Sequence, residues 1–559
     1  MNLDFLLSWA AQESSLLQTE LGFVLILSVA AVVAILARRV RLPYTVMLVI
    51  AGLILSFFPN PFGIELTGEL ILALLVPPLI FEATLNLRWE NLRRDLPAIL
   101  LLAAVGTLLG TFVVTGLVQL AGDTFIPKLN IPISAAIAFG ALISATDPVA
   151  VISLFRSLGV PKRLGILVEG ESLFNDGIAI VIFNIALAAG AMANGEGGEA
   201  FTLTGGILDF LQVSFGGLGV GIILGYLVSS LILRNVDDHL IETATTVALA
   251  FGSFIVAEEF HVSGVLAVVA AGLFVGNIGM QNTSPTTKIT LENFWEFMAF
   301  VVNSLVFLLI GLEAELRQFP VNILAILWAV AAVLLSRVLV VYGLGRLHNL
   351  LNARRRISLS YRHVMYWGGL RGAISLALAL SLGEAGFEQA VVLELQLMTF
   401  GVVLFTLLVQ GTTIAPLLKR LGMAEQPPHQ RDRQRRQALL YAIRAGKREL
   451  DRLYQDGILS VEVWEAMAEV YDRQARRRNR ELQELIHEFP ELEQQMILQA
   501  RRDLLNAERA AISDANRRGL IADDVYHRLI QETDSQMAAL DYIHSSAAVT
   551  VGASDEVEG

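Results

Sequence analysis

The chain is predicted to be an all-α polytopic membrane protein carrying a helical C-terminal tail. Hydrophobic residues make up 54% of its 559 positions and the mean hydropathy is +0.59, well above a soluble globular domain. From Glu20 to Leu421 long apolar runs alternate with short polar breaks, giving about thirteen runs near the ~20 residues that span hydrocarbon. After Met423 the composition turns charged, with Pro427 and Pro428 marking a boundary. The expected organisation is therefore a short extracytoplasmic segment at 1–19, a transmembrane domain at 20–422, a helical cytoplasmic tail at 423–545 and a disordered end at 546–559. Residues 1–19 lack the basic n-region of a cleaved signal peptide. No cysteine is present, which excludes disulfides, thiolate metal sites and cysteine catalysis. A net charge of −12 with no separate basic domain argues against nucleic acid as a partner.

In order, the apolar runs fall at 20–37, 43–58, 67–86, 96–121, 131–155, 166–193, 206–233, 239–257, 262–278, 292–314, 321–345, 363–382 and 391–418. Arginine and lysine set their orientation: Arg38, Arg39 and Arg41 follow the first run, Arg88, Arg93 and Arg94 the third, Arg156, Lys162 and Arg163 the fifth, and Arg346, Arg354, Arg355, Arg356 and Arg362 the eleventh. The positive-inside rule then makes the odd-numbered loops cytoplasmic, the N-terminus external and the C-terminus internal, in the cell (inner) membrane. The other loops carry Glu65, Glu69, Glu258, Glu259, Glu313 and Glu315, read as solvated ends ahead of the alternative that they concentrate cations at an entrance. Gly217, Gly221 and Gly225, four apart in the seventh run, permit close helix approach.

Polar groups interrupt the sixth run in V-E-G-E-S-L-F-N-D-G-I-A-I-V, four of them at helical spacing. In a helix, Glu171 shares a face with Asn175, and Ser172 with Asp176. Carboxylates at bilayer depth are costly, so an intramembrane acid points to proton or cation handling. In the fifth run, Pro148 denies a hydrogen bond to the carbonyl of Ser144 and disfavours helix at Asp147, predicting a mid-span break. Asp147 would neutralise the positive end of the second half-helix, with the Thr146 hydroxyl and carbonyl facing a cavity. The twelfth run holds a second predicted break, W-G-G-L-R-G-A-I-S, in which Arg371 needs a partner such as a half-helix C-terminus. One broken run in each half of the chain is the pattern of inverted repeats with two crossed discontinuous helices.

Two more charges lie inside spans: Arg337 in the eleventh run and Glu82 in the third, after Pro77 and Pro78. Arg337 stays charged and must be paired; Glu171 is the first choice of counter-ion and Glu82 the second. An Arg337–Glu171 pair is architectural and leaves Asp176 as the titrating carboxylate. Such a group binds either a proton or a cation, and that competition couples two fluxes, because the bare charge is the form least able to cross.

The segments E-S-L-F-N-D-G, A-T-D-P-V-A-V, S-R-V-L-V-V-Y, G-G-L-R-G-A-I-S-L-A-L-A-L and E-E-F-H-V-S-G-V-L-A-V-V-A-A-G together resemble the monovalent cation:proton antiporter family of bacterial and archaeal sodium/proton antiporters and animal sodium/hydrogen exchangers. The resemblance covers about 20–421. It implies a homodimer of thirteen-helix protomers, each with a dimerisation subdomain and a mobile core. It also implies an ion site of Asp176, Asn175, Ser172, Glu171, Thr146 and Asp147, with Asp176, Ser172 and Thr146 meeting Na+ and Arg337 paired to Glu171. With Asn175 where related antiporters carry a second aspartate, electroneutral exchange of Na+ or Li+ for H+ is expected. No cofactor is expected beyond these transported ions.

K+/H+ exchange is the rival reading within transport, since oxygen ligands do not announce ion size. A cation channel would call for a carbonyl filter or an acidic ring, and the sequence has neither. Metal-ligand patterns, a nucleophile elbow and a phosphate loop are all missing, and the eight histidines lie at span ends, in loops or in the tail, so an enzyme is not expected. In the tail, Leu439, Leu440, Ile443, Leu450 and Leu453 recur at helical spacing, and Val461, Val463, Met467 and Val470 begin a second amphipathic segment after a break at Gly457. The tail is a place for self-association or a regulatory ligand. Arg473, Arg476, Arg477, Arg478 and Arg480 form either a solvated face or a surface for anionic membrane lipid.

Overall fold

The apolar runs become helices, and no strand occurs among the described residues of the computed structural model. The structure describes residues 22–536 apart from 23, 38, 41–42, 58–66, 125–130, 194–201, 237, 284, 314–321, 353–354, 385, 424–427, 519, 527 and 534. The expectations for 1–19 and 546–559, for Glu65 and Glu315 and for the Glu313 side chain lie outside them. The chain divides into two compact units, Met1–Ala424 and Glu425–Gly559.

In the first unit the helices run α1 (Val24–Ala37), α2 (Tyr44–Leu55), α3 (Ile71–Asn86), α4 (Trp89–Gly122), α5 (Ile133–Ser144), α6 (Val149–Leu158), α7 (Lys162–Ala193), α8 (Thr204–Ile232), α9 (His239–Glu259) and α10 (Gly264–Gly279). They continue as α11 (Pro285–Glu313), α12 (Ile323–Leu351), α13 (Leu359–Trp367), α14 (Ala373–Ser381) and α15 (Gln389–Arg420). Among the described residues, 8 stretches are long and apolar enough to cross a membrane: α4, the α5–α6 pair, α7, α8, α9, α11, α12 and α15. The runs at 43–58 and 262–278 form the shorter helices α2 and α10, with Pro43 at the start of α2 and the Ser263 hydroxyl capping α10, accepting from Leu266 N–H at 3.3 Å.

Both predicted breaks are present. α5 ends at Ser144, residues 145–148 are non-helical, and α6 restarts at Val149, as the missing N–H of Pro148 and the restriction on Asp147 require. Between α13 and α14, residues 368–372 leave the helix where glycines remove propensity. The glycines of α8 form the close seam their spacing suggests: a Cβ on Gly217 would lie 2.4 Å from the Ser263 carbonyl, and one on Gly221 2.1 Å from that of Ala267. Helix α10 can approach only because α8 is bare there. Gly52 of α2 and Gly311 of α11 make a second backbone-to-backbone contact, each blocking a Cβ on the other.

The second unit is helical: α16 (Pro428–Gln455), α17 (Val461–Glu488) and α18 (Pro490–Arg517). Gly457 takes the left-handed conformation, φ +72°, that ends α16, and the Ser460 hydroxyl caps α17. Leu440, Leu450, Leu482 and Leu485 are buried, and Tyr454 stacks on Trp464 at 4.8 Å. Val461, Val463, Met467 and Val470 stay exposed, so the apolar start of α17 does not supply this core. Arg473 pairs with Glu469, and Arg477 and Arg478 with Glu481, along a solvated helix face.

Candidate ion-binding site

The long helix α7 presents its polar groups on two faces, as four-residue spacing dictates. Ser172 and Asp176 line a cavity of about 270 Å³, together with Thr146 and Asp147 from the α5–α6 break. Glu171 and Asn175 turn the other way, toward α12 and α5. Asn175 is latched to the break: its Nδ2 donates to Thr146 Oγ1 at 2.7 Å, and its Oδ1 accepts from Thr146 N–H at 3.3 Å. The Ser172 hydroxyl donates to the Thr146 carbonyl. Both polar groups of Thr146, expected to face the cavity freely, are thus engaged with α7.

The two breaks bind each other. Asp147 N–H donates to the Leu370 carbonyl at 2.8 Å. In return, Arg371 Nη1 donates to the carbonyls of Ser144 and Ala145 at 3.0 and 2.9 Å, capping the C-terminal end of α5 with positive charge. Asp147 Oδ1 accepts from Val149 N–H at 2.9 Å and so caps the start of α6. Gly372 is required by this approach, since a Cβ there would lie 2.1 Å from Asp147 Oδ2. Arg337 is spent elsewhere, in a two-pronged pair with Glu171 and a 3.1 Å bond to the Met365 carbonyl.

What remains is Asp176. Its side chain is 9% exposed, and among the described residues its carboxylate takes part in no hydrogen bond or ion pair. It faces a chamber furnished with oxygen atoms, and Arg337 and Arg371 are committed to other partners. A family profile described as sodium/hydrogen exchanger, transmembrane, matches residues 25–420.

The chain belongs to the sodium/hydrogen exchanger family. This exchanger is 40% identical over 412 residues to the Na(+)/H(+) antiporter ApNhaP of Aphanothece halophytica, an alignment covering 72% of this chain and 74% of that one. It is 34% identical over 518 residues to the low-affinity Na(+)/H(+) antiporter NhaS1 of Synechocystis sp., covering 91% and 95%. Among solved structures, the sodium proton antiporter MjNhaP1 of Methanocaldococcus jannaschii at pH 8 has the same fold at a TM-score of 0.59 and 20% identity, over 73% of this chain and all of that one.

One expected role is corrected. Glu82 is not a charge partner of Arg337: its carboxylate accepts from Asn86 Nδ2 at 2.9 Å one turn along α3 and faces the cavity. Arg337 reaches Glu171 instead, across a small chamber lined by α4, α7 and α12. Sequence reasoning missed further polar lining of the exchanger cavity: Tyr44, Ser153, Arg156, Glu169, Glu296 and Asn303. Glu169 stands inside the polar stretch of the sixth run, and Glu296 follows Glu292 by one helical turn at the start of the tenth; those are the available signals. It also missed Asp95, which is 4% exposed and pairs with Arg163 at 2.9 Å and Arg355 at 2.7 Å. That carboxylate joins α4 to the start of α7 and to the segment before α13, a role that the two arginines, topology signals in the sequence, do not disclose there.

Proposed function

We propose that this exchanger moves Na+, with Li+ as a substitute, against H+ by alternating access, the cation and the proton competing for Asp176. One observation carries the reading: Asp176 is a buried carboxylate on a cavity with no guanidinium bonded to it, while Arg337 and Arg371 are held by Glu171 and by peptide carbonyls. A bare carboxylate in that position is the state least able to cross a low-dielectric barrier, so it must be filled by a metal ion or a proton before it moves. Ser172, Thr146 and Asp147 supply the neighbouring oxygens, with Thr146 and Ser172 the Na+ ligands beside Asp176. Asn175 and Glu171 complete the polar cluster from the other face of α7. With Asp147 turned onto the start of α6 and a neutral Asn175, a single titrating carboxylate makes the exchange electroneutral, one Na+ for one H+.

The wider architecture we propose has thirteen membrane helices, counting α1, α2, α3, α10 and the α13–α14 pair with the 8 long stretches, arranged as inverted repeats whose two breaks cross. The reciprocal hydrogen bonds between the breaks support it. The protein works as a homodimer in the cell membrane, with the N-terminus outside and the C-terminus in the cytoplasm, in keeping with the distribution of arginine and lysine. Glu82, Glu169 and Glu296 then stand on the cytoplasmic approach to Asp176.

Purified protein in liposomes tests this. A sodium or lithium gradient should drive proton movement that is indifferent to a membrane potential set with valinomycin. Voltage-dependent equilibrium rejects electroneutrality, an equal response to potassium transfers the reading to K+/H+ exchange, and unitary currents overturn antiport.

A further inference from the structure

Behind the Asp176 cavity, and sharing no lining residue with it, is a second chamber of about 10 Å³. Gly110 of α4, Ser144 of α5, Glu171 of α7, Ser336 and Arg337 of α12 and Arg371 line it. The two arginines are 8% and 5% exposed, and the Nε–H of each has no acceptor among the described residues. Their other bonds are fixed in place, on Glu171 and Met365 for Arg337 and on Ser144 and Ala145 for Arg371. Buried polar hydrogens of a charged group are costly to leave unpaired; Arg337 Nε lies against Gly369, where a Cβ would come within 2.8 Å of it, and the Arg371 Nε–H calls for one more acceptor. Ser144 Oγ donates to the Gly140 carbonyl at 2.7 Å and Ser336 Oγ reaches the Gly110 carbonyl at 3.4 Å, so each hydroxyl keeps its lone pairs.

We propose that the chamber is a binding site for a single water molecule, which accepts from the Arg371 Nε–H and donates to the hydroxyls of Ser144 and Ser336. The space matches one water, and the partners fall within the two to four that buried waters use. A metal cation is repelled by two guanidinium groups; a halide is too large for the space and would face the Glu171 carboxylate. Gly110 keeps the room open, since a Cβ there would lie 3.0 Å from Ser144 Oγ and 3.4 Å from Ser336 Oγ. Resting on the exchange reading above, the water is a positioning element: it steadies Arg371 on the carbonyls of Ser144 and Ala145, directly ahead of Thr146, without touching Asp176.

The first test is a cryo-EM map of the wild-type protein in nanodiscs that resolves ordered waters. A peak within hydrogen-bonding distance of Arg371 Nε and of one serine hydroxyl is expected; well-ordered side chains around a chamber with no peak overturn the proposal. That measurement is independent of transport, so it can fail while exchange stands, and exchange can fail while it holds. The second test is Ser336→Ala, which removes a partner without adding bulk. Its apparent KM for sodium should rise about tenfold, the effect of roughly one hydrogen bond left unmade, with a lower melting temperature and a maximal rate close to wild type. An unchanged KM and melting temperature overturn the proposal.

Discussion

Replacing Glu171 by Gln tests the charge arrangement on which the site depends. The carboxylate is 2% exposed and its partner guanidinium 9%, so the pair is desolvated on both sides. Glu171→Gln leaves Arg337 charged, with the Met365 carbonyl at 3.1 Å and a neutral amide oxygen as its remaining acceptors. Stripping one partner from a buried pair costs about 3–5 kcal/mol, and the residual amide bond places this variant near the lower figure. Against a total stability of about 5–15 kcal/mol typical of a domain, that is a large loss. Thermal unfolding of the purified protein in detergent, followed by the monodisperse fraction on size exclusion, should show a clearly lower midpoint. The double variant Glu171→Leu with Arg337→Met removes both charges while keeping apolar volume, and should recover most of the loss because desolvated pairs repay little over well-packed apolar groups. A single variant that melts with the wild type, or a double variant no better than the single, refutes the reasoning.

Asp176→Asn should abolish sodium-driven proton movement in liposomes while the melting temperature holds or rises, since no hydrogen bond to that carboxylate is lost and a buried charge is removed; retained exchange would sink the assignment. Gly372→Ala should cut exchange and lower the melting temperature, because its methyl group collides with Asp147 at Cβ as well as at Oδ2; wild-type rates would mean that the breaks need not touch. In the tail, the side chain of Arg478, with Arg477 behind it, holds the Glu481 carboxyl below its usual range. The stabilisation is therefore full above the ordinary glutamate value of about 4.3 and is lost as pH falls through the lower folded value. Melting of the 425–559 segment followed by circular dichroism should weaken on acidification, and Glu481→Gln should flatten that dependence; an identical pH profile in the variant would count against the pairing.

Much of the site is written in local chemistry. Pro148 restricts itself and Asp147 whatever surrounds them, and the glycines at 368, 369 and 372 weaken helix in any setting, so both interruptions are legible without a fold. The four-residue spacing of Glu171 with Asn175 and of Ser172 with Asp176 already assigns these side chains to two faces of α7, and the structure puts a different chamber against each. Arg337 had to find an acid, and the sixth run offered the nearest choice in kind. Glu82 misled because it too is an intramembrane acid, and nothing in its own neighbourhood of sequence tells which way α3 is rotated.

Sequence alone determined the helical membrane character, the positions of the breaks and the residue types that meet at the site, because propensity, proline geometry and helical period depend only on near neighbours. Tertiary structure alone decided that Asp147 bonds the Leu370 carbonyl, that Asp95 gathers arginines from two distant segments, that Glu82 faces the cavity and that Arg371 lands on the end of α5. Those partnerships depend on the rotation and register of whole helices, set by side-chain interlocking and by contacts such as Gly52 against Gly311 and Gly221 against Ala267, which join residues far apart in the chain.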